Sequence, residues 1–261
     1  MQNARDFMND LARSVAFLSR LPVPARFFLG HDGSVSRACR AFPLAGWLIA
    51  LIPALVLMLL ASWPEARLMA CLLSLVLLAL MTGGLHEDGL ADSVDGLFGG
   101  RDRDHALTIM KDSRIGSFGV IGLIASFGLR ASALVALCGL GSNGLAALAL
   151  AAAASFSRGL MVWHWAKLPP ARQGGTAVAM GQPEAKATRF ALGLGTFLTL
   201  PLLVSGVSPL SLLASLGLSL GAAHIFTTYV QRKIGGHTGD TIGATQQITE
   251  MTLLFALVVT F

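Results

Sequence analysis

The sequence predicts an all-α, polytopic membrane bundle of six or seven spans, with a cytoplasmic N-terminus and an amphipathic N-terminal helix lying at the membrane interface. Three observations predict it. Of 261 residues, 54% are hydrophobic and only 13% charged, against about 25% charged in an average soluble domain. Apolar stretches of span length recur along the whole chain, too regularly for a soluble domain with one anchor. The basic residues also fall on alternate connections.

Seven apolar stretches can be marked, at 42–61, 68–85, 118–140, 145–165, 190–207, 210–229 and 249–261. The first six approach or exceed the ~17–20 residues needed to cross a bilayer core as helix. The seventh is short, and spans only by recruiting residues before it or by thinning the bilayer. The alanine-rich run 146–154 reads as a close-packed helix face.

The connections 62–67, 141–144 and 208–209 are short, whereas the N-terminal 41 residues and the loops 86–117, 166–189 and 230–248 are long. Sixteen of the 19 Lys and Arg residues lie on the long group, and only Arg67 on the short one. By the positive-inside rule the N-terminus and the long loops face the cytoplasm. The chain thus reads as one integral membrane domain over 1–261, with an interfacial segment 1–41 and a bundle 42–261 whose long loops carry the active site. Phe7, Leu11, Val15 and Leu18 recur at helical spacing before Pro22-Val23-Pro24, the pattern of an amphipathic helix on the membrane surface.

The same numbers exclude other classes. The net charge of +5 is spread between apolar segments with no basic stripe, so nucleic acid is not an expected partner and the lipid bilayer is. Cys39, Cys71 and Cys138 form no CxxC pattern and have no partnering histidine, so neither a zinc site nor a disulfide framework is expected. The polar, basic first forty residues do not resemble a cleaved signal sequence.

The chemistry concentrates in one place. Seven of the 14 acidic residues fall between Glu87 and Asp112, in a segment beginning His86-Glu87-Asp88-Gly89-Leu90-Ala91-Asp92-Ser93-Val94-Asp95-Gly96. If the second span continues as helix, Asp88, Asp92 and Asp95 sit at i, i+4 and i+7, within about 40° of one another. Carboxylates so placed repel unless a cation neutralises them. Oxygen ligands without thiolate favour Mg²⁺ or Mn²⁺, and Mg²⁺ is the ion usual beside phosphates. The glycines Gly89, Gly96, Gly99 and Gly100 predict a broken helix or close approach of a ligand to the backbone.

Downstream, Met110-Lys111-Asp112-Ser113-Arg114 adds a carboxylate, a hydroxyl and two cations able to clamp a diphosphate. The run Gly235-Gly236-His237-Thr238-Gly239-Asp240-Thr241-Ile242-Gly243 reads as a flexible loop whose amides approach an anion, with Asp240 completing a metal shell or orienting a sugar. Arg158 lies inside a span, where ionisable residues are functional candidates. Arg130 reads as a snorkelling or structural partner, Glu250 as a helix-start residue, and His164 and His224 as packing residues.

These motifs in order, HEDGLADSVDG, MKDSRIGSFG, SRG and GGHTGDTIGA, with the opening FLSRLPVP and AFPLAGW, resemble the cobalamin synthase family along essentially the whole chain. The resemblance implies a transferase of substituted phosphate groups in the bacterial inner membrane. It implies an Mg²⁺-dependent reaction of adenosylcobinamide-GDP with α-ribazole or its 5′-phosphate, yielding adenosylcobalamin or its 5′-phosphate and GMP. Asp92-Ser93-Val94-Asp95-Gly96 followed by Arg101 is more distantly similar to the DxxDG signature of CDP-alcohol phosphotransferases.

The resulting expectations are metal ligands Asp88, Asp92, Asp95 and Asp112, and catalytic groups Asp112, Asp95 and Arg158, with Asp112 the proton acceptor. Substrate contacts are expected at His86, Lys111, Ser113, Arg114, Arg158, Gly236, Thr238 and Asp240. Competing readings are a lipid-directed CDP-alcohol phosphotransferase and a secondary transporter, the latter opposed by aspartates crowded at one membrane face. Self-association into a homo-oligomer stays open.

Overall fold

A computed structural model describes residues 2–30, 33–174 and 176–261. The helices, in order, are α1 (Gln2–Leu18), α2 (Phe42–Leu60), α3 (Arg67–Thr82), α4 (Leu85–Gly99), α5 (Arg103–Ile109), α6 (Ser117–Leu140), α7 (Asn143–Lys167), α8 (Thr176–Ala179), α9 (Ala185–Phe197), α10 (Pro201–Val204), α11 (Pro209–Ile234) and α12 (Gly239–Thr260). Among the described residues seven helical stretches are long and apolar enough to cross a membrane, with α9 and α10 forming one of them.

Helix α7 is the axis. Its alanine-rich half, Ala146 to Ala154, is buried on nearly every side, so what the sequence marked as one close-packed face is a helix enclosed all round. It packs against α2, α6, α9, α11 and α12. Small side chains let these backbones approach, which gives association in lipid its dispersion energy. The outer helices turn leucine, isoleucine and phenylalanine outward, as at Ile52, Leu80, Ile124, Leu213 and Ile225, where hydrocarbon replaces water.

The turns are set by caps. The Ser142 and Ser208 hydroxyls accept from Leu145 N and Ser211 N and start α7 and α11, satisfying amides that a helix start leaves free. Thr238 and Thr241 form a reciprocal capping box that starts α12. Helix α12 thus begins ten residues before the apolar run 249–261. Its first half is polar, with Thr241, Thr245, Gln246, Gln247 and Glu250 buried, so an unbroken apolar run marks only its second half.

The three long connections meet at one end of the bundle. Arg103 donates to Ala171 O at 2.6 Å and to Ile234 O at 3.0 Å, Lys233 to Gly100 O at 2.7 Å, and Arg172 to Leu107 O at 2.8 Å. Backbone bonds Ala171 N to His237 O and His237 N to Pro169 O, both 2.8 Å, tie residues 169–171 to the α11–α12 corner.

At this end α1 packs against α2 and the turn at 38–41. It buries Leu11, Leu18 and also Asp10. Arg40 and Arg37 hold the Asp10 carboxylate at 2.6 and 3.3 Å.

Candidate active site

The second span does not continue into the acidic segment. Gly83 and Gly84 take left-handed conformations, φ 67° and 71°, which residues with a Cβ resist, and the chain turns before α4. Helix α4 is itself unbroken, so its glycines serve close packing: a Cβ on Gly89 would come within 2.8 Å of Asp240 O on α12. Within α4 the spacing of Asp88, Asp92 and Asp95 keeps them on one side, but their tasks differ.

Asp88 and Asp92 line a cleft of about 640 Å³ with Glu87, Arg20 and Ser113. Burial, then the charges of Asp88, Asp240 and Asp95, push the Asp92 carboxyl up to about 7, with Arg172 pulling the other way. Burial and the neighbouring acids together thus favour the protonated form of Asp92. The Asp95 side chain instead receives amide N–H bonds from Gly116 at 2.7 Å and Gly119 at 2.8 Å. It thereby docks α4 on the positive N-terminal end of α6. A Cβ on Gly119 would fall 3.0 Å from Ala91 O, so the glycines of RIGSFG permit this contact. Each Asp95 oxygen thus already accepts one backbone N–H, a docking task that the sequence pattern did not assign to it.

Asp112 departs from its expected role as proton acceptor. It is paired with Arg114 at 2.7 Å, whose guanidinium holds the carboxyl at about 2, a poor proton acceptor. Arg114 is 85% exposed in its side chain and spends its guanidinium on Asp112. Lys111 faces a second cavity of about 210 Å³ with Arg172, Gln173, His237, Thr238 and Asp240. Gly236 is pressed onto residues 169–171 and serves packing. The stretch read as a flexible loop is a helix end, a cap and a helix start, in which Thr238 donates to Asp240 Oδ2 at 3.1 Å.

Arg158 is buried at 1% exposure and donates to Ala154 O at 2.7 Å, in its own helix against Gly46. This places the expected phosphate contact in the bundle interior, one turn from Ala154 and against α2. Nearby, Arg130 meets Glu250 at 2.8 Å and Glu87 at 3.7 Å. Gln246 donates to Glu250 at 2.6 Å and to Ser157 at 3.1 Å, and Gln247 donates to Glu87 at 3.0 Å. Glu250 is thus a mid-helix anchor, not a helix-start residue, and Arg130 is its structural partner. His164 packs between Thr227 and Thr241.

A third cavity of about 310 Å³ lies between the other two. It shares Phe17, Leu85 and Asp88 with the acidic cleft, and Gly239 and Asp240 with the basic one. His86 lines it, fully buried, and burial followed by the positive charges of Arg158 and Arg130 keeps its imidazole neutral.

Among the described residues no three His, Cys, Asp or Glu side chains converge as a ready-made metal shell. Mg²⁺, however, usually takes one or two carboxylates and completes its shell with water and substrate phosphate. The pair Asp88 and Asp92, hard oxygen donors one helical turn apart in the same cleft, fits such an ion. The sequence reading missed Arg20 and Arg172. Arg20 stood inside the FLSRLPVP motif, whereas Arg172 lay in the long basic loop 166–189 with nothing to single it out among its neighbours.

A helical membrane bundle with an acidic cleft and a basic pocket gathered at one end defines a polytopic membrane enzyme handling phosphate-bearing substrates. The chain matches the family described as cobalamin-5-phosphate synthase, CobS, over residues 10–258, and it belongs to that family. It is 54% identical over 258 residues to adenosylcobinamide-GDP ribazoletransferase of Sinorhizobium medicae, covering 98% of each chain. It is 51% identical to that of Rhizobium meliloti, with 98% of each covered, and 43% identical to that of Brucella anthropi, with 96% of each covered. No solved structure matches.

Proposed function

We propose that the protein transfers the adenosylcobinamide phosphate group from adenosylcobinamide-GDP to a hydroxyl of α-ribazole or α-ribazole 5′-phosphate. GMP is released, and adenosylcobalamin or its 5′-phosphate is formed. The relatives' shared name supports the reaction. The observation that carries the site is Asp92 beside Asp88 in the cleft, its carboxyl raised to about 7.

Mg²⁺ bound there would neutralise diphosphate charge and stabilise the departing GMP. Asp88 and Asp92 would hold it. Arg20 and Ser113, lining the same cleft, would meet donor phosphate oxygens. Lys111 and Arg172 form a basic pocket suited to an acceptor 5′-phosphate. Asp240, bordering the basic and middle cavities, is the carboxylate available to take the hydroxyl proton. The new bond joins the acceptor oxygen to the phosphorus on cobinamide, and the bond from that phosphorus to GMP breaks. The density of Lys and Arg on the connections at this end supports a site facing the cytoplasm across a bacterial inner membrane.

The test uses purified protein in detergent. GMP release that needs both acceptor and Mg²⁺ is expected, and Asp92→Asn should remove it while leaving the protein inserted. Equal release in the presence of a chelator, or vesicle uptake without chemical change, overturns the reading.

A further inference from the structure

We propose that Cys71 on α3 and Cys138 on α6 form a disulfide site at the end of the bundle opposite the acidic helix, closed by exchange with a protein disulfide of the oxidising compartment outside the inner membrane. This rests on the orientation proposed above and is independent of the reaction.

Packing makes the pair. Helix α3 runs toward the acidic helix, α6 runs away from it, and the two pack on each other. Cys71 stands four residues after Arg67, where α3 begins, and Cys138 two residues before Leu140, where α6 ends. At helical rise these are about 6 and 3 Å from the ends, so both sulfurs lie at one depth near the far boundary. Both residues turn inward, at 0% and 4% exposure, into one core cluster. Their thiols touch through a side-chain hydrogen bond, and the charge of Arg67 acts on both. Spacing along the chain hides the pair, because its members come from different helices.

Cys39 is the contrast. It lies in the turn 38–41, at the end where the long loops gather, and its Sγ donates to Ser36 O at 3.3 Å. Thiols facing the cytoplasm are kept reduced, whereas those facing outward are oxidised.

The exchange balances. One thiol gives up its proton and its sulfur attacks the oxidant's disulfide, forming a mixed disulfide. The second sulfur, losing its own proton, displaces the oxidant. A bond joins Cys71 Sγ to Cys138 Sγ, the oxidant's S–S bond is broken, and the oxidant leaves as a dithiol holding both electrons and both protons. The sulfurs are enclosed once α3 and α6 pack, which assigns the exchange to membrane insertion, when these helix ends still meet water.

The loop so closed contains α4 and α5. Helix α4 hangs from α3 by the Gly83-Gly84 turn and docks on the start of α6 through Asp95. The disulfide ties the same two helices at their other ends and stabilises the bundle by restricting the unfolded chain.

The experiment treats bacterial membranes carrying the full chain with N-ethylmaleimide, denatures the protein in excess reagent, and counts adducts by intact mass with peptide mapping. The expected result is alkylation of Cys39 alone before reduction and of Cys39, Cys71 and Cys138 after it, with a fragment joining Cys71 to Cys138. In detergent, Cys71→Ser and Cys138→Ser should each lower the melting temperature by roughly 5 °C or more. The double variant should lower it no further, because one shared bond is lost in all three. Alkylation of Cys71 and Cys138 before reduction, a linked fragment containing Cys39, or additive losses in melting overturns the proposal. Should the thiols be free, oxidised glutathione added to the membranes tells why: closure of the pair means that the orientation is wrong, and no closure that the packing is.

Discussion

Arg130 on α6 and Glu250 on α12 meet at 2.8 Å with neither side chain exposed. Ser126, Gln246, Gln247 and Glu87 extend the contact into a network that reaches the residue beside Asp88. Arg130→Met takes from Glu250 its 2.8 Å partner and from Glu87 its 3.7 Å one. It is expected to cost about 3–5 kcal/mol, the penalty for an orphaned buried charge. Restoring balance with Arg130→Met/Glu250→Gln should recover part of that loss. Thermal unfolding in detergent measures both, and a double variant no better than the single one contradicts the pairing.

Asp92 and Asp95 are three residues apart but should respond differently. Asp92→Asn is expected to lower GMP release by on the order of 10²–10³, as loss of an electrostatic stabiliser does, with melting unchanged. Asp95→Ala removes two charge-assisted amide bonds and should cost about 1–3 kcal/mol of stability, with the folded fraction still active. Melting curves and GMP release, measured together, separate the two roles. Identical behaviour contradicts the docking assignment.

The Gly83-Gly84 turn allows an internally controlled comparison. Either alanine substitution forces a Cβ into left-handed backbone, at about 1–2 kcal/mol. Only at Gly83 does the new atom also meet the Arg20 side chain, with space open at Gly84. Gly83→Ala should therefore be the more damaging to turnover as well as to melting, since Arg20 lines the cleft.

His237 is 1% exposed, its ring nitrogens have no partners, and burial lowers its pKa to about 4. The folded value lies below the ordinary ~6.5, so the folded state favours the neutral ring. That stability is fully present above pH 6.5 and is lost as pH falls toward 4. Melting temperature against pH should drop over this window in the wild type and more gently in His237→Gln. Parallel curves would exclude the histidine as the cause.

The sequence made the outline legible because spans and basic loops are read by composition, and the acidic helix by an i, i+4, i+7 spacing. What escaped it depends on contacts between distant segments. Asp92 and Asp95 look alike in sequence, and only the amides of Gly116 and Gly119 distinguish them. Asp112 looked like a ligand until Arg114, two residues away, was seen folded onto it. Arg158 looked functional because charge in a span is rare, yet it is enclosed with Gly46 and Ala154. The start of α12 was hidden because its polar residues face Arg130 and Ser126 and not lipid.

The seven stretches among the described residues that are long and apolar enough to cross a membrane have a practical corollary. Seven is odd, so a chain that enters from the leaflet bearing the acidic helix finishes on the other. If all seven cross, a reporter protein fused after Phe261 is expected on the face opposite the acidic helix, and one fused ahead of α1 on the same face as it.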